Sequence, residues 1–241
     1  MAIFLFWRSI LAHLVADFPM QTSIIYRLKI KGLQGQILHG GILFISSTIF
    51  LFPYLHIKTA WIYLFLITFL HIIQDCIKVK YFKTSLYPFW PFLIDQILHF
   101  LSTAVIFLFP VSIITPFISS SNIFMKFYNN NLLVYFLIGY IAVTWHGTYF
   151  IDTFKKTFLK DNKFFKDTII GYAVPAEEKY YGIIERVVFT TLAFFGGWFY
   201  LLIPLAAGFR FLFKKLSFAS ISLVGIFLSI IVGTILRIIS F

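Results

Sequence analysis

Three histidine–aspartate pairs in this chain share one spacing: His13 and Asp17 in H-L-V-A-D, His71 and Asp75 in H-I-I-Q-D, and Asp95 and His99 in D-Q-I-L-H. Residues four apart on a helix lie on one face, about 6 Å apart along the axis. Imidazole nitrogens and carboxylate oxygens are ordinary ligands of zinc, manganese and iron. Paired ligands one turn apart on a helix also occur in metalloprotease and di-iron bundle motifs. With His39 beside them, the pattern points to a divalent metal held by His13, Asp17, His39, His71, Asp75, Asp95 and His99. A proton path and plain interhelical hydrogen bonding are the competing uses of such residues. Gln21, Gln74 and Gln96 are the expected supporting donors.

The elements that must position these residues are membrane helices. Of the 241 residues, 60% are hydrophobic and 12% charged, about half the charge of an ordinary soluble domain. Thirty-three Phe, thirteen Tyr and five Trp add more apolar surface than a soluble fold can bury. This composition excludes a disordered chain, a soluble domain and a disulfide scaffold; Cys76 is the single cysteine. A net charge of +11 would suggest nucleic acid in a soluble protein. Here the basic residues sit mainly between apolar stretches, where they meet anionic headgroups and fix orientation. The expected partner is therefore the lipid bilayer and not nucleic acid.

A span takes about 20 mostly apolar residues. Candidates are Ala2 to Phe18, Gln36 to Leu55, Thr59 to Ile77, Phe89 to Val111, Leu132 to Thr153 and Ser217 to Phe241. Arg8, His13 and Asp17 interrupt the first, which reads as a span rather than a cleaved signal. Tyr181 to Phe213 is too long for a simple span and holds Gly196-Gly197 and Pro204. Both features interrupt helices, so this segment reads as a re-entrant or V-shaped hairpin, with a single kinked span as the alternative. The fold class expected is an all-α polytopic membrane protein of about six spans plus that hairpin. Residues 1–241 form one transmembrane domain, with a four-span half at 1–111 and a second half at 132–241.

Basic residues alternate along the connections. Arg27, Lys29 and Lys31 mark the first, Lys58 the second, Lys78, Lys80 and Lys83 the third, and Lys126 the fourth; six lysines lie between Lys155 and Lys179. This places connections one, three and five in the cytoplasm and the N-terminus outside. Arg210, Lys214 and Lys215 then lie inside if the hairpin turns back, which puts the C-terminus outside as well. The stretch from Lys155 to Tyr180 reads either as an interfacial helix or as a solvated loop. In this topology nearly every histidine and acid falls in the cytoplasmic half of the bilayer, Glu185 and Arg186 included. Ionisable groups at that depth are costly and are a functional signal by default.

The segment H-L-V-A-D-F-P-M-Q-T (His13 to Thr22) resembles the signature of a bacterial integral-membrane family catalogued as domain of unknown function three-three-zero-seven. L-H-G (Leu38 to Gly40), H-I-I-Q-D-C-I-K (His71 to Lys78) and D-Q-I-L-H (Asp95 to His99) strengthen the likeness over roughly the first hundred residues. G-I-I-E-R (Gly182 to Arg186), Phe209-Arg210-Phe211 and Leu223 to Gly233 are similar to the second half of its longer members. The resemblance implies a multi-pass protein of the bacterial cytoplasmic (inner) membrane and no established activity.

The residues themselves support two classes of function. The first is a membrane-embedded metal-dependent hydrolase acting from the cytoplasmic leaflet on a lipid or lipid-linked substrate. The metal would activate water, Glu185 would carry a proton, and Arg186 would hold an anionic headgroup. Arg186 could also neutralise Asp152 or a metal-site carboxylate, and the competing role of Glu185 and Arg186 is an ordinary buried ion pair locking the hairpin to the bundle. The second class is non-enzymatic: an ion, proton or solute transporter, or an effector or anchor for a cytosolic partner. Oligomeric state has no sequence signal.

Overall fold

The computed structural model describes residues 2–82, 87–109, 123–159, 176–212 and 219–241. Among these residues all regular structure is helical. The chain divides into two compact units, Met1–Ile138 and Gly139–Phe241. Four helical stretches are long and apolar enough to cross a membrane: Lys58–Tyr81, Phe89–Leu108, Asn131–Phe158 and Leu223–Ser240. The chain thus has the character of a membrane protein.

The first unit is built on helices α1 (Ala2–Asp17), α2 (Ser23–Lys31), α3 (Leu33–Phe50), α4 (Lys58–Phe82) and α5 (Phe89–Thr103), the last running on as a 3-10 turn to Leu108. The short α6 (Ile123–Tyr128) follows. Helix α1 packs on α3, α3 on α4, α4 on α5, and α5 back on α1, so four helices close a ring. One end of the ring is apolar: Leu5, Phe6, Ile10, Leu51, Tyr54, Tyr63, Leu64, Ile67 and Ile106 form its buried core. His13 and His71 follow the apolar core residues of their helices and His39 and His99 precede Leu51 and Ile106, so all four lie towards the other end. His13 follows Ile10 by three residues and His71 follows Ile67 by four, about one turn in each case.

Two local features fix this unit. Arg8 is buried at 1% exposure. Its Nη1 donates to Phe4 O (3.0 Å) and Asn131 Oδ1 (2.9 Å), and its Nε donates to Tyr128 O (3.1 Å). The guanidinium also lies 3.2 Å from the Phe4 ring centroid, a desolvated cation–π contact. Burial pushes the Tyr128 phenol well above its ordinary pKa, so it stays protonated and donates to Phe50 O (2.9 Å). The second feature is Gly35. A Cβ there would lie 2.0 Å from Leu28 O, so only glycine allows α2 to lie this close to α3.

The second unit takes in the end of α7 (Asn131–Ile141), α8 (Gly147–Phe154), α9 (Ala176–Phe195), α10 (Leu202–Leu212) and α11 (Ala219–Ser240). A π-helical turn, Ala142–His146, joins α7 to α8. Helix α9 packs along α11. The break expected at Gly196-Gly197 is present: both glycines have positive φ, +65° and +55°. The place of a Gly196 Cβ is filled by the Arg237 guanidinium, which donates to Phe195 O (2.9 Å) and so satisfies a carbonyl at the end of α9. Most of the expected interfacial segment, from Lys160 to Pro175, lies outside the described residues, as do Lys214 and Lys215.

Candidate metal centre

The four helices of the ring each deliver ligand-type side chains to one place. His13 and Asp17 come from α1, His39 from α3, His71 and Asp75 from α4, and Asp95 and His99 from α5. All seven are buried, His39 and Asp75 at 0% exposure. The rings of His71 and His99 are 4.4 Å apart and those of His13 and His99 4.8 Å apart, centroid to centroid. The helical pairs are in register as their spacing predicts: His71 Nε2 lies 3.1 Å from Asp75 Oδ2, His99 Nε2 3.3 Å from Asp95 Oδ1, and His13 Nε2 3.5 Å from Asp17 Oδ2. Contacts across helices are as close. Asp17 Oδ1 is 3.1 Å from His39 Nε2 and 3.4 Å from His71 Nε2, and Asp75 Oδ2 is 3.7 Å from His39 Nε2.

Those distances have a chemical meaning. Ligand nitrogens and oxygens on a common zinc ion, each about 2.0–2.2 Å from it, sit roughly 3–3.5 Å from one another. Hydrogen bonding is the alternative, and it requires alignment as well as distance. Only His39 Nε2 and Asp17 Oδ1 are aligned as a hydrogen bond. Nε2 of His13, His71 and His99 and Oδ2 of Asp75 are buried with no hydrogen-bond partner among the described residues. Such orphans are costly and rare unless another ligand satisfies them. Three ligand sets meet the requirement that all their donor atoms lie within 4.8 Å of one another: His13/His71/His99, Asp17/His39/His71 and Asp75/Asp95/His99. Buried histidines and aspartates are therefore positioned to hold a metal.

Neighbouring amides and ammoniums complete the arrangement. His99 Nδ1 donates to Gln74 Oε1 (2.6 Å), and Gln74 Nε2 donates to Leu98 O (3.2 Å). The Leu98 carbonyl can only accept, so it turns the Gln74 amide and places the His99 proton on Nδ1. The Nε2 lone pair is then left facing the cluster. Gln21 Oε1 accepts from Lys29 Nζ (3.3 Å), and Gln96 Nε2 donates to Asp95 Oδ2 (3.1 Å), so all three glutamines support this region. Cys76 Sγ donates to Gln36 Oε1 (2.5 Å).

Sequence reasoning missed two members. Lys29 Nζ lies 2.7 Å from Asp75 Oδ1, and Lys78 Nζ 2.6 Å from Asp95 Oδ2. Both had been counted only as connection charges. Lys78 follows Asp75 by three residues, on nearly the same helix face, and that spacing could have flagged it. Lys29 carries no comparable signal.

Glu185 and Arg186 belong to the second unit, on α9. Arg186 is buried and donates to Val143 O (2.5 Å), Thr144 O (3.0 Å) and Thr148 Oγ1 (2.5 Å). The π-helical turn at Ala142–His146 disturbs the regular carbonyl ladder, and the guanidinium binds the carbonyls there. Asp152, offered as its partner from sequence, instead lies 2.7 Å from Lys156 Nζ one turn away. Glu185 is partly buried on the same helix.

Neither a curated protein nor a solved structure matches the chain. A family profile does match, over residues 5–130, a stretch that holds all seven ligand-type residues and both lysines. The chain belongs to the family described as Protein of unknown function (DUF3307).

Proposed function

We propose that the protein is a membrane-embedded, metal-dependent hydrolase acting on a lipid or lipid-linked ester or phosphate from the cytoplasmic leaflet. The observation that carries this reading is the convergence of buried His and Asp donor atoms at ligand-like separations, most of them without hydrogen-bond alignment. His13, Asp17, His39, His71, Asp75, Asp95 and His99 would hold the divalent metal, with zinc, manganese and iron all suited to this donor set. Such a metal lowers the pKa of a bound water and polarises a carbonyl or phosphoryl oxygen. Gln74 orients His99, and Lys29 and Lys78 hold the aspartates in place. Glu185 is the proposed proton carrier. Arg186, with its donors on the turn at Val143 and Thr144, is proposed to act by positioning that segment.

The proposed topology has six spans and a hairpin folded at Gly196-Gly197, in a bacterial cytoplasmic membrane with both termini outside. The alternation of basic connections supports it. Cysteine labelling from outside tests it: position 126 should label and position 214 should not. Labelling at both positions would replace the hairpin by a full crossing, and labelling at 214 alone would overturn the orientation.

Elemental analysis of purified protein, followed by hydrolysis assays on short-chain phosphate and carboxylate esters in detergent, tests the function. Bound divalent metal with chelator-sensitive hydrolysis is the expected result. Metal-free protein that moves protons in proteoliposomes would instead establish a relay built from the same residues.

A further inference from the structure

We infer that the centre holds two divalent cations rather than one, bridged by the Asp17 carboxylate; this rests on the metal reading above. Seven side chains are more than one tetrahedral ion takes, since a zinc-type ion is filled by four. Their atoms also separate into two sets. Asp17 Oδ1, His39 Nε2, His71 Nε2 and Asp75 Oδ2 form the first, with each histidine nitrogen 3.1–3.7 Å from both carboxylate oxygens. Asp17 Oδ2, His13 Nε2, His99 Nε2 and Asp95 Oδ1 form the second, with His13 3.5 Å from Asp17, His99 3.3 Å from Asp95 and the His13 and His99 rings 4.8 Å apart; His71 and Asp75 border this set as well. A single ion in the first set would leave Nε2 of His13 and His99 buried without a partner.

The three carboxylates differ in a way that identifies the bridge. Asp75 turns Oδ2 to His71 (3.1 Å) and Oδ1 to the Lys29 ammonium (2.7 Å), with His99 Nε2 farther from that oxygen at 3.9 Å. Asp95 turns one oxygen to His99 and the other to the Lys78 ammonium. Each lysine thus takes the carboxylate oxygen that is not turned to the histidine one turn away on the same helix. Asp17 has no lysine within ion-pair distance among the described residues. Both its oxygens face histidines, Oδ1 towards His39 and His71 and Oδ2 towards His13. One carboxylate with each oxygen on a different ligand set is the geometry that spans two metals about 3.5–4 Å apart.

Manganese provides the probe. The full chain in detergent is stripped with chelator, titrated with Mn²⁺, and examined by elemental analysis and electron paramagnetic resonance. Two Mn²⁺ per chain with an exchange-coupled spectrum is the expected result. Asp95→Ala should bind one Mn²⁺ and give an isolated six-line signal, and His13→Ala should do the same if the first variant does not fold. One Mn²⁺ per wild-type chain, or two without coupling, would overturn the two-metal centre and leave the single-metal reading intact. No bound Mn²⁺ in wild-type protein would overturn both.

Discussion

The two units treat their buried charges in opposite ways. In the second, Arg186 is paired with backbone carbonyls and a threonine hydroxyl, and Arg237 with a carbonyl at the end of α9. Helix irregularities create local acceptors there, and arginine forks fill them. In the first unit, buried histidines and aspartates face one another, and several of their lone pairs have no donor. A protein that needed only stability would not gather these groups, because breaking even or losing is the usual outcome for buried charge. The difference teaches that burial of a polar residue is not itself the mark of a site. What distinguishes the ring of α1, α3, α4 and α5 is convergence together with incomplete satisfaction.

The comparison can be broken at its second arm first. Arg186→Ala should remove the guanidinium from Val143 O, Thr144 O and Thr148 and cost about 3–5 kcal/mol of stability, the loss typical of stranding buried partners of a charge. Metal content per folded chain should stay at the wild-type value. Thermal melting beside elemental analysis checks this, and loss of metal at unchanged stability would show that the two units are not separable in this way. A smaller effect is expected at Gln74. Gln74→Leu frees the His99 ring, and metal affinity should fall about 10–100-fold while the melting temperature of the metal-free protein changes little. Competition with a chelator of known affinity measures it; an unchanged affinity would remove Gln74 from the support of the site.

Two substitutions sharpen the contrast further. Gly40→Ala places a Cβ 2.5 Å from the Ile72 side chain, where α3 meets α4 between His39 and His71. Ile72 must shift, at a cost of about 1–3 kcal/mol for overpacking. The expected result is reduced stability with a modest loss of metal affinity, read in the same two assays. Glu185→Gln should leave stability and metal content unchanged and abolish turnover if Glu185 carries the proton. Normal turnover would remove it from the mechanism.

Much of the site was legible because helices convert spacing into geometry. His71 and Asp75 had to share a face, and so did His13 with Asp17 and Asp95 with His99. Their common depth followed from counting residues along apolar stretches of alternating direction. The lysines were not legible for the opposite reason. Lys29 reaches Asp75 from a short helix whose approach depends on the absent side chain of Gly35, a tertiary fact without a periodic signal. Lys29 and Lys78 had been counted as votes on orientation, but each is paired with an aspartate of the ring, so they weigh less than lysines facing headgroups. The Gly196-Gly197 break was readable from residue type, whereas the Arg237 guanidinium that occupies it was not. The carbonyl partners of Arg8 and Arg186 were equally hidden, since any residue can offer a carbonyl.

The central claim is that the convergent histidines and aspartates form a metal centre. Its most direct test is elemental analysis of purified wild-type protein against His71→Ala at equal folded fraction, after dialysis against metal-free buffer. His71 sits within 3.4 Å of both Asp17 and Asp75, so it belongs to an ion held between those two carboxylates. The account predicts stoichiometric divalent metal in the wild type and a clear loss of metal in the variant. Background metal in both, or equal metal in both, would contradict it.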